Sequence, residues 1–398
     1  MKKLLMTAAA TALMTGAAFA ESHGNSVKLG IILGFTGPIE SLTPDMANGA
    51  KLAMNEVSES GQLMGGAKVE FVEADSTCVD ASAATAAAER LITSDGVKGI
   101  MGADCSGVTG AILTNVAVPN GMVMISPSAT SPALSDTEDD GNFFRTAPSD
   151  ARQGQVLADV LMDKGISSVA VTYTNNDYGK GLADSFAAAF EAAGGTITGT
   201  AAHEDGKADY SAEVGALASA GGDALVVAGY VDQGGPGVIR AALDTGAFDM
   251  FVLPDGMIGA ALEETFGEDI EGSIGTVPGT DSEGAAKMAE LASAAGFEAS
   301  GPYVGESYDA AALILLAMQA AGSTEPADYK GKIMEIANAP GEPIMPGELG
   351  KALEIIAGGG DIDYVGATDV ELIGGGESAG SYREIVIEGG KITTAGYR

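Results

Sequence analysis

Two hydroxyl-rich stretches carry the chemistry this sequence offers most plainly. Val97-Lys98-Gly99-Ile100-Met101-Gly102 runs into Ala103-Asp104-Cys105-Ser106-Gly107, and Met122-Val123-Met124-Ile125 runs into Ser126-Pro127-Ser128-Ala129-Thr130. Each apolar run reads as a buried strand. Loops beyond the carboxyl ends of parallel strands are where open α/β sheets bind ligands, because helix N-termini there present free N–H groups. Ser106 and Thr130 therefore form a candidate socket for a small carboxylate. Taken singly, each would be no more than a helix cap.

Other motifs lead away from catalysis. Gly376-Glu377-Ser378-Ala379-Gly380 has the G-x-S-x-G spacing of a serine hydrolase nucleophile, but that chemistry needs a helix directly after the motif and a histidine further along the chain. The two histidines, His23 and His203, both precede it, and 382–387 has strand alternation. The motif reads as a hairpin turn. His203, in the polar run Ala202-His203-Glu204-Asp205-Gly206, reads as a solvated side chain. With only two histidines, and with the two cysteines expected to pair as a disulfide, no His/Cys metal cluster can be assembled. Asp361-Ile362-Asp363 lacks the glycine and terminal glutamate of a calcium loop. Gly234-Gly235-Pro236-Gly237 lacks the lysine of a phosphate loop. No metal and no cofactor is expected.

The elements that would position the socket follow a βα alternation. Strands are expected at 27–33, 68–73, 97–101 and 122–125, with helices near 44–59, 80–93 and 107–117. After Phe143-Phe144-Arg145-Thr146-Ala147-Pro148 the pattern restarts, with strands at 168–173, 196–200, 224–228 and 250–253 and helices such as 179–193 and 210–220. A mainly helical region, 282–337, lacks strands of its own and needs a sheet to cover, and 363–392 returns to strands. The fold class is α/β, with two lobes, each a mainly parallel sheet flanked by helices. Lobe 1 is expected to comprise 27–147 with 279–361, and lobe 2 148–278 with 362–398. Crossings near Pro148, Pro278 and Asp361 make a hinge that allows closure around a ligand.

The first twenty residues read as an export signal, with Lys2 and Lys3, an apolar run and an Ala18-Phe19-Ala20 cleavage site. The most apolar later stretch, 310–318, is too short to span a membrane. Without the leader, 18 basic side chains face 55 acidic ones. So negative a surface repels nucleic acid and anionic lipid. Export places Cys78 and Cys105 in an oxidising compartment, where a disulfide between the loops after the second and third strands is expected, with two buried thiols as the alternative.

At the level of motifs the chain resembles the leucine/isoleucine/valine-binding proteins. The resemblance lies in Phe35-Thr36-Gly37-Pro38-Ile39, Asp104-Cys105-Ser106, Ile125-Ser126-Pro127-Ser128-Ala129-Thr130, Asp177-Tyr178-Gly179-Lys180-Gly181-Leu182 and Gly301-Pro302-Tyr303-Val304, in that order along the mature chain. These relatives are periplasmic receptors of ABC importers with the type I periplasmic binding fold. The resemblance implies an amino-acid carboxylate held by Ser106 and Thr130, helped by backbone groups around Ser106, Ser128 and Ala129. It implies an ammonium held by Asp255, where the family commonly has Glu, and cleft walls from Tyr178 and Tyr230. The family often has a Trp after Gly-Pro-Tyr-Val. This chain has Gly305 there and no Trp at all, which leaves Tyr308 as a wall of the side-chain pocket. A monomeric binding protein docking on an ABC permease is the expected role. Alternatives are a sensory adaptor for a chemoreceptor or sensor kinase, and a receptor for a related small carboxylate or amide.

Overall fold

The computed structural model describes residues 26–398; the expected export signal and His23 lie outside the described residues. The first sheet takes in β1 (Ser26–Leu33), β2 (Lys68–Asp75), β3 (Ile100–Gly102), β4 (Met124–Ser126) and β5 (Phe143–Pro148). The second takes in β6 (Ser168–Thr174), β7 (Thr196–His203), β8 (Ala224–Ala228), β9 (Phe251–Leu253) and β10 (Ile274–Pro278). A small parallel pair, β11 (Glu342–Ile344) and β12 (Ile362–Tyr364), stands apart. The remaining strands are β13 (Leu372–Ile373), β14 (Glu377–Ser378), β15 (Tyr382–Glu388) and β16 (Lys391–Tyr397).

Strand order is β13-β14-β5-β4-β3-β1-β2 in one sheet and β16-β15-β10-β9-β8-β6-β7 in the other. Central strands are parallel and read as unbroken apolar runs, as Leu29-Gly30-Ile31-Ile32-Leu33 does, because helices cover both faces. The chain passes from the first sheet to the second after β5, returns after β10, and crosses again between β14 and β15. The third passage therefore lies at 379–381 and not near Asp361. The pairing of β13 with β14, and of β14 with β5, keeps 372–378 on the edge of the first sheet.

Helices start and stop where the local chemistry dictates. Helix α1 (Thr43–Ser60) opens with Pro44 and ends at left-handed Gly61. In α2 (Ala81–Thr93) the Asp80 carboxylate caps the N–H groups of Ser82 and Ala83. Helix α3 (Ser106–Ile112) starts at the first hydroxyl-rich loop, widens to a π turn over Leu113–Ala117 and runs into α4 (Val118–Asn120), where Pro119 has no N–H to give. Helix α5 (Asp150–Asp163) follows the first crossing. In the second lobe α6 (Asp177–Ala192) is capped by Asn176 and succeeded by α7 (Ser211–Ala220), α8 (Gly235–Thr245) and α9 (Ala260–Phe266).

After the second crossing come α10 (Glu283–Ala295), α11 (Val304–Ala321), α12 (Pro326–Ile336) and α13 (Leu349–Ala357). Helix α11 is apolar all round from Ala310 to Met318 and buried throughout that stretch, packed on α1 and across β3, β4 and β5. Among the described residues no helix is long and apolar enough to cross a membrane. Cys78 and Cys105 form a disulfide across 27 residues of sequence. On the chain-entropy model such a loop stabilises by about 3.5 kcal/mol.

Candidate functional site

The carboxyl ends of both sheets face each other, and the loops they carry close on one cavity. From the first lobe come Ile39 and Leu42, Asp104 and Ser106 beyond β3, and Ser128 beyond β4; from the second come Tyr178, Tyr230 and Asp255. Tyr303, on the residue before α11, completes the wall. Ser106, Ser128, Tyr178, Tyr230 and Asp255, singled out in the sequence, thus meet in one place.

Asp255 is the centre of the site. It follows β9, is fully buried, and receives the Tyr178 hydroxyl on Oδ1 at 2.7 Å and the Tyr303 hydroxyl on Oδ2. Gly256 N–H in turn donates to the Tyr178 oxygen at 3.1 Å. Two glycines make this approach possible. A Cβ on Gly256 would stand 2.7 Å from the Tyr178 oxygen, and one on Gly179 would stand 2.3 Å from the Thr174 carbonyl oxygen, lifting α6 and its Tyr178 away. Tyr178 stacks on Tyr230, with ring centroids 5.1 Å apart and planes at 18°. Tyr303 reaches the acid from a left-handed backbone, φ 65°, a conformation that L side chains adopt only where surrounding structure imposes it.

Burial raises the Asp255 carboxyl above its ordinary range, and the two tyrosine hydroxyls offset part of that shift. Asp150, the first residue of α5, is pushed well above, first by burial and then by the negative charge of Asp255. Neither Asp150 oxygen makes a well-formed hydrogen bond; the buried Thr130 hydroxyl beside it gives only a weak contact that offsets a little of the rise. Asp104 is raised by burial too, although Gly34 N–H at 2.6 Å and the Ser76 hydroxyl at 2.8 Å hold its oxygens. Arg145, the buried cation nearby, is fully committed. Its guanidinium spans the Ala129 and Ser131 carbonyls at 3.1 and 2.9 Å, the Ser135 hydroxyl and Glu377. The site is therefore a buried acidic pocket lacking a cation of its own.

The hydroxyl side is arranged differently from the sequence reading. Ser106 accepts the Ser131 N–H at 3.1 Å and keeps its own proton free to donate. Ser128 spends its hydroxyl on the Asp104 carbonyl at 3.1 Å, and its N–H, like that of Ala129, turns to the Ser126 hydroxyl. Ala129 lines no part of the cavity, because its carbonyl is held by Arg145. Thr130 stands behind the wall, next to Asp150. Tyr308 is elsewhere. It lies inside α11 while Tyr303 precedes the helix with a left-handed backbone, and its hydroxyl meets Glu56 at 2.5 Å on the α1 side. His203 is also not solvated; as the last residue of β7 it is buried, with Nδ1 2.8 Å from the Thr172 hydroxyl, and burial lowers its pKa to about 4. Ser378 lies on β14 with strand β15 following, so the strand-turn-helix setting of a serine nucleophile is not formed there.

Sequence reasoning singled out neither Tyr303, Asp150 nor Arg145 for the site. Tyr303 lay inside the Gly-Pro-Tyr-Val motif and carried a signal. Asp150 looked like an ordinary first-turn acid.

As closed here the cavity leaves about 20 Å3 for the centres of water molecules, room for one or two.

Two α/β lobes joined by three crossings and shut on a shared polar pocket make a hinged solute-binding fold. The periplasmic binding protein model matches residues 26–345, and the chain belongs to that family, among its leucine/isoleucine/valine-binding members. The Leu/Ile/Val-binding protein homolog 1 of Brucella melitensis is 30% identical over 339 residues, 84% of this chain and 89% of that one. The crystal structure of a leucine binding protein from Thermotoga maritima superposes with a TM-score of 0.78, covering 93% of this chain and 98% of its own at 23% identity. An ABC transporter solute binding protein of R. palustris in complex with benzoate gives 0.75, covering 94% and 96% at 18% identity. At such identities the two structures speak for the fold.

Proposed function

We propose that this protein is the extracytoplasmic receptor of an ABC importer and captures a free apolar amino acid by closing its lobes over it. The observation that carries the reading is Asp255. It is a buried carboxylate held in place by two tyrosine hydroxyls, with a second unpartnered acid beside it and no free cation in the pocket. A carboxylate has about four lone-pair sites, so Asp255 retains acceptors for an incoming ammonium. Ser106, with a proton to donate at the N-terminus of α3, faces the ligand carboxylate; Thr130, whose hydroxyl has no other partner, assists from behind. Ile39, Leu42 and the stacked tyrosines would take the side chain.

Support for an amino acid comes from the printed names of the relatives in Brucella and Thermotoga. The benzoate complex raises a carboxylate without an amine as the second reading, but a pocket with three buried acids disfavours it on charge. The export signal and the lack of a membrane-spanning helix among the described residues fit a mature receptor that meets its permease outside the cytoplasm. Calorimetric titration of ligand-stripped, refolded protein with a panel of amino acids tests the reading. One saturable site per chain for an apolar L-amino acid is expected; no response across the panel would overturn it.

A further inference from the structure

A second cavity lies behind the cleft, where two of the three crossings meet. Its walls come from both lobes: Thr280 just after β10, Met288 on α10, Pro302 and Glu306 at the start of α11, and Arg383 on β15. It offers about 220 Å3 for water centres, some ten times the closed cleft.

Two of its groups have no adequate partner. Glu306 is 4% exposed, and among the described residues its carboxyl accepts no hydrogen bond from another residue, the Thr146 hydroxyl going to its main-chain oxygen instead. Burial raises that carboxyl to about 8, against a small lowering by Arg383. Arg383 is half-buried, and its guanidinium makes one long hydrogen bond, to the Ser300 carbonyl at 3.4 Å. The two side chains sense each other's charge yet form no direct ion pair. An acid and a guanidinium facing one void, with Met288, Ala289 and Pro302 as apolar wall, is complementary to a molecule carrying both signs of charge. With its carboxyl raised to about 8, Glu306 keeps its proton in the empty cavity and is drawn into the charged form by an ammonium placed against it; a bare anion would leave that acid unused, and a bare cation would leave Arg383 unmatched.

We infer that this cavity is a second ligand site, for a small zwitterion whose ammonium meets Glu306 and whose carboxylate meets Arg383. Glu306 belongs to the first lobe and Arg383 to the second, so the occupant clamps the hinge and favours one opening angle. The inference stands apart from the proposed role of the cleft.

Methionine methyl NMR separates the two sites, because Met288 lines the back cavity and Met257 closes the short turn that begins at Asp255. With L-leucine as the probe, the Met257 resonance should move first. Met288 should move in a separate saturable phase at higher concentration. Glu306→Gln and Arg383→Met should each weaken that second phase at least tenfold while the Met257 phase persists, which also shows that the variants are folded. A Met288 resonance that stays still up to the solubility limit of leucine, or a second phase indifferent to both substitutions, would overturn the inference. A silent Met257 with a responsive Met288 would instead count against the cleft alone.

Discussion

The Tyr178 hydroxyl donates to Asp255 at 2.7 Å while accepting the N–H of Gly256 at 3.1 Å, so one tyrosine both orients the acid and pins the turn that carries it. Both residues lie in the second lobe, on different strand-to-helix connections. That lobe therefore presents an oriented carboxyl group to the cleft before any ligand arrives. The first lobe brings Tyr303 against it, from the residue before α11, and Ser106 to the same cavity.

Removing the charge at Asp255 should separate binding from stability. In Asp255→Asn the ligand ammonium loses a charge-assisted hydrogen bond worth about 1.5–3 kcal/mol, a roughly ten- to hundredfold loss of affinity. The ligand-free protein should melt at the same or a higher temperature than wild type, because a buried carboxylate with a raised pKa is removed. Calorimetry and a thermal melt on the same preparation check both halves.

Thr130 offers a cleaner contrast. Its hydroxyl is buried beside Asp150 without a well-formed partner, so Thr130→Val removes at most a weak contact in the empty protein and should leave its stability within about 1 kcal/mol. If the hydroxyl meets the ligand, affinity falls about tenfold. Equal affinity in the variant would remove Thr130 from the site.

Protons should leave when the ligand enters. Asp150 and Asp255 both have raised pKa values in the empty, closed protein, so between the ordinary aspartate range and those raised values the folded state holds a proton the unfolded chain has released. The stability this contributes is present below the ordinary aspartate range and is lost as pH rises through the raised values. An ammonium placed against the pair favours the charged forms and expels the proton. Titrations at a pH just above the ordinary aspartate range, in buffers of different ionisation enthalpy, should give apparent binding enthalpies that differ with the buffer. Identical enthalpies would show that no proton moves.

Much of this arrangement was legible in the residues, for identifiable reasons. The βα alternation and the two hydroxyl-rich loops were readable because parallel strands buried on both faces are unbroken apolar runs ending at ligand-bearing loops. Asp255, Tyr178 and Tyr230 came from motif resemblance. What escaped depends on contacts between distant parts of the chain. Asp150 has the local signature of any first-turn helix acid, and only the packing of α5 against the cleft leaves it without a partner. Tyr308 sits within α11 and faces α1, whereas Tyr303, just outside the helix, faces the cleft. The polar neighbours of His203 concealed a strand end that faces inward. The third crossing was misplaced because β13 and β14 are two residues each, too short to show periodicity.

The central claim is that the cleft grips both ends of a zwitterion, and the sharpest measurement is a calorimetric comparison of L-leucine with 4-methylpentanoate, the same molecule without its amine. The predicted result is at least tenfold weaker binding of the deaminated acid to wild type and a much smaller difference in Asp255→Asn. Equal affinity of wild type for the two would contradict the account, since Asp255 would then be holding nothing.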